Sequence, residues 1–214
     1  MTTLEDDDDF VPQRRPHLMG PAAQAKALAE ATARLAARRQ RDALPHRIET
    51  ARLVLRAPIR GDVPDLVKLA DNKAIADKLS RLPHPYTRAD GIGFVEIIAQ
   101  RPDERPYAIT LDDQFIGVVG FTFNEGQLPE LGYWLGEPYW GRGFMSEAVK
   151  GLIEAAFATQ LFPRLKARAL ASNDGSLNVL GKAGFVRTGE GPGPVGTNKD
   201  KPTIFLELEQ PKWS

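Results

Sequence analysis

The sequence predicts an α/β (α+β) protein with a central mixed, mostly antiparallel sheet of six to seven strands and helices on both faces. Three observations carry this. Residues 105–135 hold three apolar runs separated by the short polar turns Asp112-Asp113 and Asn124-Glu125-Gly126, as an antiparallel meander requires. Met145, Ala148, Val149, Leu152, Ile153, Ala156 and Phe157 then recur at helical spacing. Residues 165–171 read as a strand beyond that helix. A strand reached by a helical crossover lies parallel to the one before it.

In chain order, residues 1–20 predict a disordered acidic and proline-rich tail, because the run Glu5 to Asp9 repels itself and stays solvated. Residues 21–46 predict an alanine-rich helical extension and linker, with Pro21 in the first turn and Arg38, Arg39 and Arg41 near the end. Its only large apolar residues before Ala43, Leu28 and Leu35, share one face that could dock on the domain or on a second subunit. The domain proper spans 47–210. It opens with one strand over 48–56, and Asp62 caps a helix that buries Val63, Leu66, Val67 and Ala70. A short helix over 72–79 and a Pro-containing loop over 81–86 follow. Thr87 and Asp90 form a capping box for a helix reaching about Gln100. After the 165–171 strand come a short helix from Asn173, a strand starting at 184–186, a flexible glycine- and proline-rich connection over 189–200, and a closing strand over 203–208.

Composition bounds the chemistry. Lys and Arg number 28, and Asp and Glu also 28, so no global field favours a nucleic acid and no direct nucleic-acid binding is expected. With no cysteine there is no disulfide, no thiolate nucleophile and no thiolate metal ligand. The three histidines, His17, His46 and His84, do not pair at ligand spacing, so no metal is expected. No apolar run approaches the roughly 20 residues that cross a bilayer. The acidic N-terminus lacks the apolar segment of a secretory signal. A cytoplasmic protein without a membrane partner is the expectation.

The informative stretch is Tyr139-Trp140-Gly141-Arg142-Gly143-Phe144-Met145-Ser146-Glu147-Ala148, between a strand and the central helix. A glycine turn at a helix N-terminus presents several N–H groups where the helix dipole favours an anion. Glycine lets the main chain come within hydrogen-bond distance of a phosphate. No Lys-Ser or Lys-Thr follows Gly143, so this is no Walker loop, and Ser146 replaces the third glycine of a dinucleotide loop. Read alone it is also an ordinary turn.

The stretch resembles the acyl-CoA-binding segment of the GNAT N-acetyltransferase superfamily, and more narrowly the Rim-type branch, which includes ribosomal-protein alanine N-acetyltransferases. Trp140 and Met145 depart from the general superfamily loop, while the aromatic-Gly-x-Gly-aromatic order fits the Rim-type variant. A second block, Asn173-x-x-Ser176-x-x-Val179-x-x-Lys182-x-Gly184-Phe185, resembles the same branch at the same distance. So does the opening Thr50-x-Arg52-Leu53-x-Leu55-Arg56. The resemblance implies a GNAT fold with a split between its two central parallel strands, and acetyl-CoA as cosubstrate. It implies that main-chain amides of Gly141, Arg142, Gly143, Phe144, Met145 and Ser146 hold the pyrophosphate, with charge added by the Arg142 side chain. Backbone groups of Trp134 and Leu135, together with Asn173, would bind the pantetheine arm. Asn173 reads equally as a helix cap.

For catalysis the resemblance implies a base and an acid. Glu130 is the candidate base, and it reads equally as a surface carboxylate at a strand end. Ser176 is the candidate acid toward the leaving thiolate, since no tyrosine occurs after Tyr139. Tyr133 and Trp134 read as packing residues. The expected acceptor is an amine, either a protein N-terminal α-amine or a small molecule such as an antibiotic or polyamine. A non-catalytic acyl-CoA-binding module is the alternative of another class. The oligomer is expected to be a monomer or a homodimer.

Overall fold

A computed structural model describes residues 20–211. Apart from Gly20, the expected tail lies outside the described residues. Helix α1 (Pro21–Ala43) begins with its proline in the first turn and has Arg41 in the last. The leucine stripe does not dock on the domain: Leu28 and Leu35 are 70% and 68% exposed. The helix rests on the domain through its other side. Ala37 packs on the core, Gln40 donates to the Leu161 carbonyl at 2.7 Å, and Arg41 donates to the Glu104 carbonyl at 3.0 Å. Beyond the helix, Leu44 is fully buried and anchors the linker.

The single opening strand expected over 48–56 is two. β1 (Arg47–Glu49) and β2 (Val54–Arg56) pair antiparallel. The Thr50 N–H donates to the Leu53 carbonyl and the Leu53 N–H donates to the Thr50 hydroxyl, which closes a turn between them. α2 (Val63–Ala70) and α3 (Lys73–Ala76) follow. Asp62 stands at the N-cap position of α2 but does not cap it with its side chain. Its carboxylate takes both Arg56 nitrogens, at 2.8 and 2.7 Å, and the Ile59 N–H. α4 (Arg88–Glu96) starts on the expected Thr87–Asp90 capping box. It stops before Gln100, where a 3₁₀ turn (Ile98–Gln100) takes over and leaves Ile98 exposed.

The meander forms as β3 (Glu104–Leu111), β4 (Gln114–Thr122) and β5 (Glu130–Leu135). α5 (Phe144–Ala158) crosses to β6 (Arg164–Leu170), which lies parallel to β5. α6 (Asp174–Lys182), β7 (Val186–Pro192) and β8 (Pro202–Glu209) complete the chain. Residues 189–192, expected as a flexible connection, belong to β7 and pair with β8 across a register shift. The sheet therefore has eight strands, in the order β1-β2-β3-β4-β5-β6-β8-β7, where six to seven were expected.

The helices cover both faces. α5 buries Phe144, Met145, Ala148, Val149, Leu152, Ile153, Ala156 and Phe157 against the face that carries Leu131, Tyr133 and Leu135. Each large side chain so buried stabilises the fold by roughly 1.5–3 kcal/mol. α2 and α4 cover the opposite face with Leu66, Ala70 and Phe94, against Phe115, Val118 and Trp134. Consecutive residues of β5 thus serve different layers, as strand alternation dictates.

Candidate active site

The turn before α5 is built from main chain. Gly141 and Gly143 have φ of 72° and 78°, a left-handed region that glycine enters without strain. Gly143 is the N-cap of α5 and supplies no side-chain cap. The N–H groups from Gly141 to Ser146 donate no hydrogen bond among the described residues, as expected of the amides at a helix start. Phe144 and Met145 are 3% and 7% exposed, which leaves only their main chain to the turn. The Arg142 guanidinium lies 4.7 Å from the centre of the Phe144 ring.

A strap that the sequence reading missed fixes this turn. Arg52 stacks on the same ring at 4.5 Å, donates to the Arg142 carbonyl at 3.2 Å, and pairs with the Glu147 carboxylate at 2.7 Å. Thr50 and the Arg52 N–H also donate to Glu147, at 2.6 and 2.7 Å. Burial pushes the Glu147 carboxyl up, but these hydrogen bonds outweigh it and hold the group below the usual glutamate value. The signal in the sequence was the spacing of Thr50 and Arg52, which was read as strand and as part of the family resemblance, not as a tie to Glu147.

β5 and β6 pair only at Glu130↔Lys166 and Leu131↔Ala167, then separate. The Gly136 N–H donates to the Ile116 carbonyl. Counted from that bond, an antiparallel ladder turns the Trp134 main chain toward β4 and the main chains of Tyr133 and Leu135 into the gap. The Leu135 carbonyl already accepts the Trp140 indole N–H at 2.7 Å. Across the gap, Asn173 caps α6 by accepting the Ser176 N–H at 3.2 Å. The Ser176 hydroxyl lies 2.8 Å from the Tyr133 hydroxyl, and the Tyr133 hydroxyl also donates to the Ser176 carbonyl at 3.1 Å. Burial pushes the Tyr133 phenol up to about 12, so it stays protonated at neutral pH. Sequence reading assigned Tyr133 to packing; only the fold brings it to Ser176.

Glu130 stands on the opposite face of the sheet, with Trp134. Lys166 and Arg168 flank its carboxylate at 3.4 and 3.1 Å. It is one of a row: Glu104, Thr122 and Glu130 are register partners on β3, β4 and β5. Glu104 is a second carboxylate here that the sequence did not single out. It accepts from Arg81 at 2.7 Å and from the Thr122 hydroxyl at 3.1 Å. A cleft of about 820 Å³ joins both faces through the gap. It is lined by Glu130, Trp134, Leu135, Gly141, Gly143, Phe144, Met145, Ser146, Asn173 and Ser176, so ten of the eleven expected residues meet there. Arg142 is the eleventh and lies outside its lining. Over one end, the β7–β8 loop seats on the chain after α3 through Thr197, which bonds Ser80 and Leu79.

Among the described residues, no group of three or more Asp, Glu or His side chains converges as metal ligands would. No described helix is long and apolar enough to cross a membrane.

A sheet split beside a helix N-terminus, with unpaired amides on one side and a charged row on the other, defines a class. The chain belongs to the acetyltransferase (GNAT) domain family, whose model matches residues 52–186. Among relatives by sequence, it is 37% identical over 79 residues to the uncharacterized N-acetyltransferase p20 of Bacillus licheniformis, covering 36% of this chain and 44% of that one. It is 30% identical over 95 residues to the ribosomal-protein-serine acetyltransferase of Escherichia coli (strain K12), covering 44% and 53%. The chain thus spans about half the length of these relatives. Solved structures share the fold. An acetyltransferase (GNAT family) from Bacillus anthracis superposes with a TM-score of 0.67 at 20% identity, over 77% of this chain and 98% of that one. RimL, a ribosomal L7/L12 α-N-protein acetyltransferase in complex with coenzyme A, gives 0.68 at 22%, over 76% and 97%. Mycobacterium smegmatis RimJ in complex with CoA-disulfide gives 0.68 at 17%, over 78% and 88%.

Proposed function

We propose that this chain transfers the acetyl group of acetyl-CoA to an α-amine, such as a protein N-terminus, by direct attack in a ternary complex. Residues 47–210 form the transferase domain and 21–46 a helical extension. The amides from Gly141 to Ser146 hold the pyrophosphate. The pantetheine arm lies in the gap against the main chains of Tyr133 and Leu135, close to Asn173. The set of unpaired amides at the start of α5 supports this, because it offers an anion both donors and the positive end of a helix dipole.

The neutral amine attacks the acetyl carbon from the Glu130 side, a C–N bond forms, and the C–S bond breaks. An α-amine has a pKa near 7.7–8.0, so a useful fraction is neutral at pH 7 and Glu130 needs only to orient it or a water that removes the proton. The thiolate leaves toward Ser176. A thiol has a pKa near 8.5, and a phenol at about 12 is a far weaker acid. Tyr133 is therefore a positioning residue. It holds Ser176, whose hydroxyl hydrogen-bonds the developing thiolate while solvent supplies the proton.

One observation favours an α-amine over a polycation such as a polyamine or aminoglycoside. The charged residues lining the cleft are Lys78, Arg81, Arg168 and Lys182 against Glu104, Glu130 and Asp174. Four cations face three anions, so no acidic surplus draws a polycation. The test is release of free coenzyme A with a panel of peptides, free lysine and spermidine. Turnover with peptides and not with spermidine is expected. Tight acetyl-CoA binding without turnover of any amine would replace this reading with the acyl-CoA-binding module.

A further inference from the structure

Gly132, in the middle of β5, has no internal reason to be glycine. Its φ lies outside the left-handed region, and a Cβ built on it meets no atom within 4 Å. The glycines of β4 differ. A Cβ on Gly117 would come 2.5 Å from the Trp134 carbonyl, and one on Gly120 would come 2.5 Å from the Arg105 carbonyl. Close neighbouring main chain requires those two. A glycine inside a strand loses stability and packs nothing, and it marks a place where a ligand or another backbone comes close. Among the described residues no backbone comes within 4 Å of a Cβ placed on Gly132, which leaves a ligand.

The surroundings say which kind. Strand alternation puts Gly132 on the cleft face between Glu130 and Trp134. Its register partner is Gly120, so a flat strip spans two strands. Trp134, Val118, Tyr86 and Phe94 wall one end of the strip with apolar surface. Glu130 closes the other end, already matched by its cations.

The geometry points to Gly132 as the floor of the acceptor subsite, taking an amine whose amine-bearing carbon carries a bulky apolar or aromatic group. This rests on the acetyl-transfer reading above. The amine lies toward Glu130 and the apolar group lies across Gly132 onto Trp134. Chains or amides that begin with Phe, Leu or Met fit this description. Spermidine and serinamide do not.

The test uses the full chain saturated with coenzyme A, so that it reads binding without turnover. Phenylalaninamide, serinamide and spermidine are titrated calorimetrically into the wild type, Gly132→Ala and Gly132→Val, with Gly181→Ala as control. Phenylalaninamide should bind the wild type at least tenfold more tightly than either other amine. Its affinity should fall about threefold in Gly132→Ala and at least tenfold in Gly132→Val. Melting temperature should not fall and acetyl-CoA affinity should hold in both, and the control should match wild type in every affinity. Unchanged phenylalaninamide affinity in Gly132→Val overturns the inference, and so does preferred binding of serinamide or spermidine, or binding of none of the three. If the valine variant does not fold, the alanine variant decides alone. Binding as expected without turnover sinks the transfer reading and leaves the subsite standing.

Discussion

The two halves of the cleft are built by different means. On the side we propose for the cofactor, the cleft is built of main chain: two left-handed glycines, six unpaired amides and the N-terminus of one helix, all within residues 141–146. On the side we propose for the acceptor it is built of side chains from distant segments. Arg81 follows α3, Glu104 opens β3, Thr122 ends β4, Glu130 opens β5 and Arg168 lies on β6. The same contrast shows in two glycines that both have room around them. Gly143 is fixed by its own backbone angle, whereas Gly132 is not. A main-chain site tolerates changes in side chain and fails when the backbone is forced. A side-chain site can be retuned one charge at a time.

The sharpest way to break this contrast is Gly143→Glu. It forces a Cβ into a left-handed position and puts a negative charge at the anion site. Acetyl-CoA affinity should fall at least about a hundredfold, about 2.8 kcal/mol, by calorimetric titration. Affinity kept within tenfold would mean that the amides are not the anion site.

Next in size is Glu147→Ala, which cuts the strap under the same turn. Glu147 accepts from Thr50 and from two Arg52 nitrogens, one of them main chain. Its loss should destabilise the fold by about 2 kcal/mol in urea unfolding at pH 7. The Glu147 carboxyl is held below its unfolded value, so its contribution is present above the usual glutamate range and lost as pH falls through the folded value. The deficit of the variant should therefore shrink at pH 3. A deficit equal at pH 7 and pH 3 would count against the charge of Glu147 as the cause.

A charge change on the other side should spare the cofactor. Arg81→Ala leaves the Glu104 carboxylate without its cation. Spermidine should then bind about tenfold more tightly by calorimetric titration, about 1.4 kcal/mol, with acetyl-CoA affinity unchanged. A loss of acetyl-CoA affinity instead would show that the two halves are not separable.

The contrast also explains what the sequence could reveal. The glycine turn, the α5 stripe and the Thr87 capping box are local, and each was legible from residues within one or two turns. The Asn173 cap of α6 was legible for the same reason. The split of β1 from β2 hung on the small turn that Thr50 closes, within a run whose apolar pattern alone reads as continuous strand. β7 was hidden by glycines and prolines that usually mark loops, and its pairing to β8 overrode that local preference. Glu104 gave no local sign, because its partners come from residues 23 and 18 positions away. The α1 leucines misdirected the reading for a related reason. Docking by alanine, glutamine and arginine leaves no hydrophobic stripe to find.

Tyr133→Phe has the smallest expected effect and tests the partition within a single strand. Tyr133 follows Gly132 but points to the opposite layer, where its hydroxyl meets Ser176. As a positioning residue, its loss should lower kcat about threefold, about 0.7 kcal/mol, with acetyl-CoA affinity and acceptor KM unchanged. A change in acceptor KM would mean that β5 does not divide the two halves. A purely structural role would leave kcat alone and move only stability, so pH supplies a second readout. The phenol titrates near 10 in the unfolded chain and at about 12 in the fold. Stability is then full below pH 10 and falls as pH rises toward 12, because the unfolded state releases its proton first. Urea midpoints at pH 9 and pH 11 should differ less in Tyr133→Phe than in the wild type. Some alkaline slope should persist, since burial also pushes Tyr86 up to about 12. A slope identical to wild type would show that the Tyr133 hydroxyl meets water, and with that the hold on Ser176 would go.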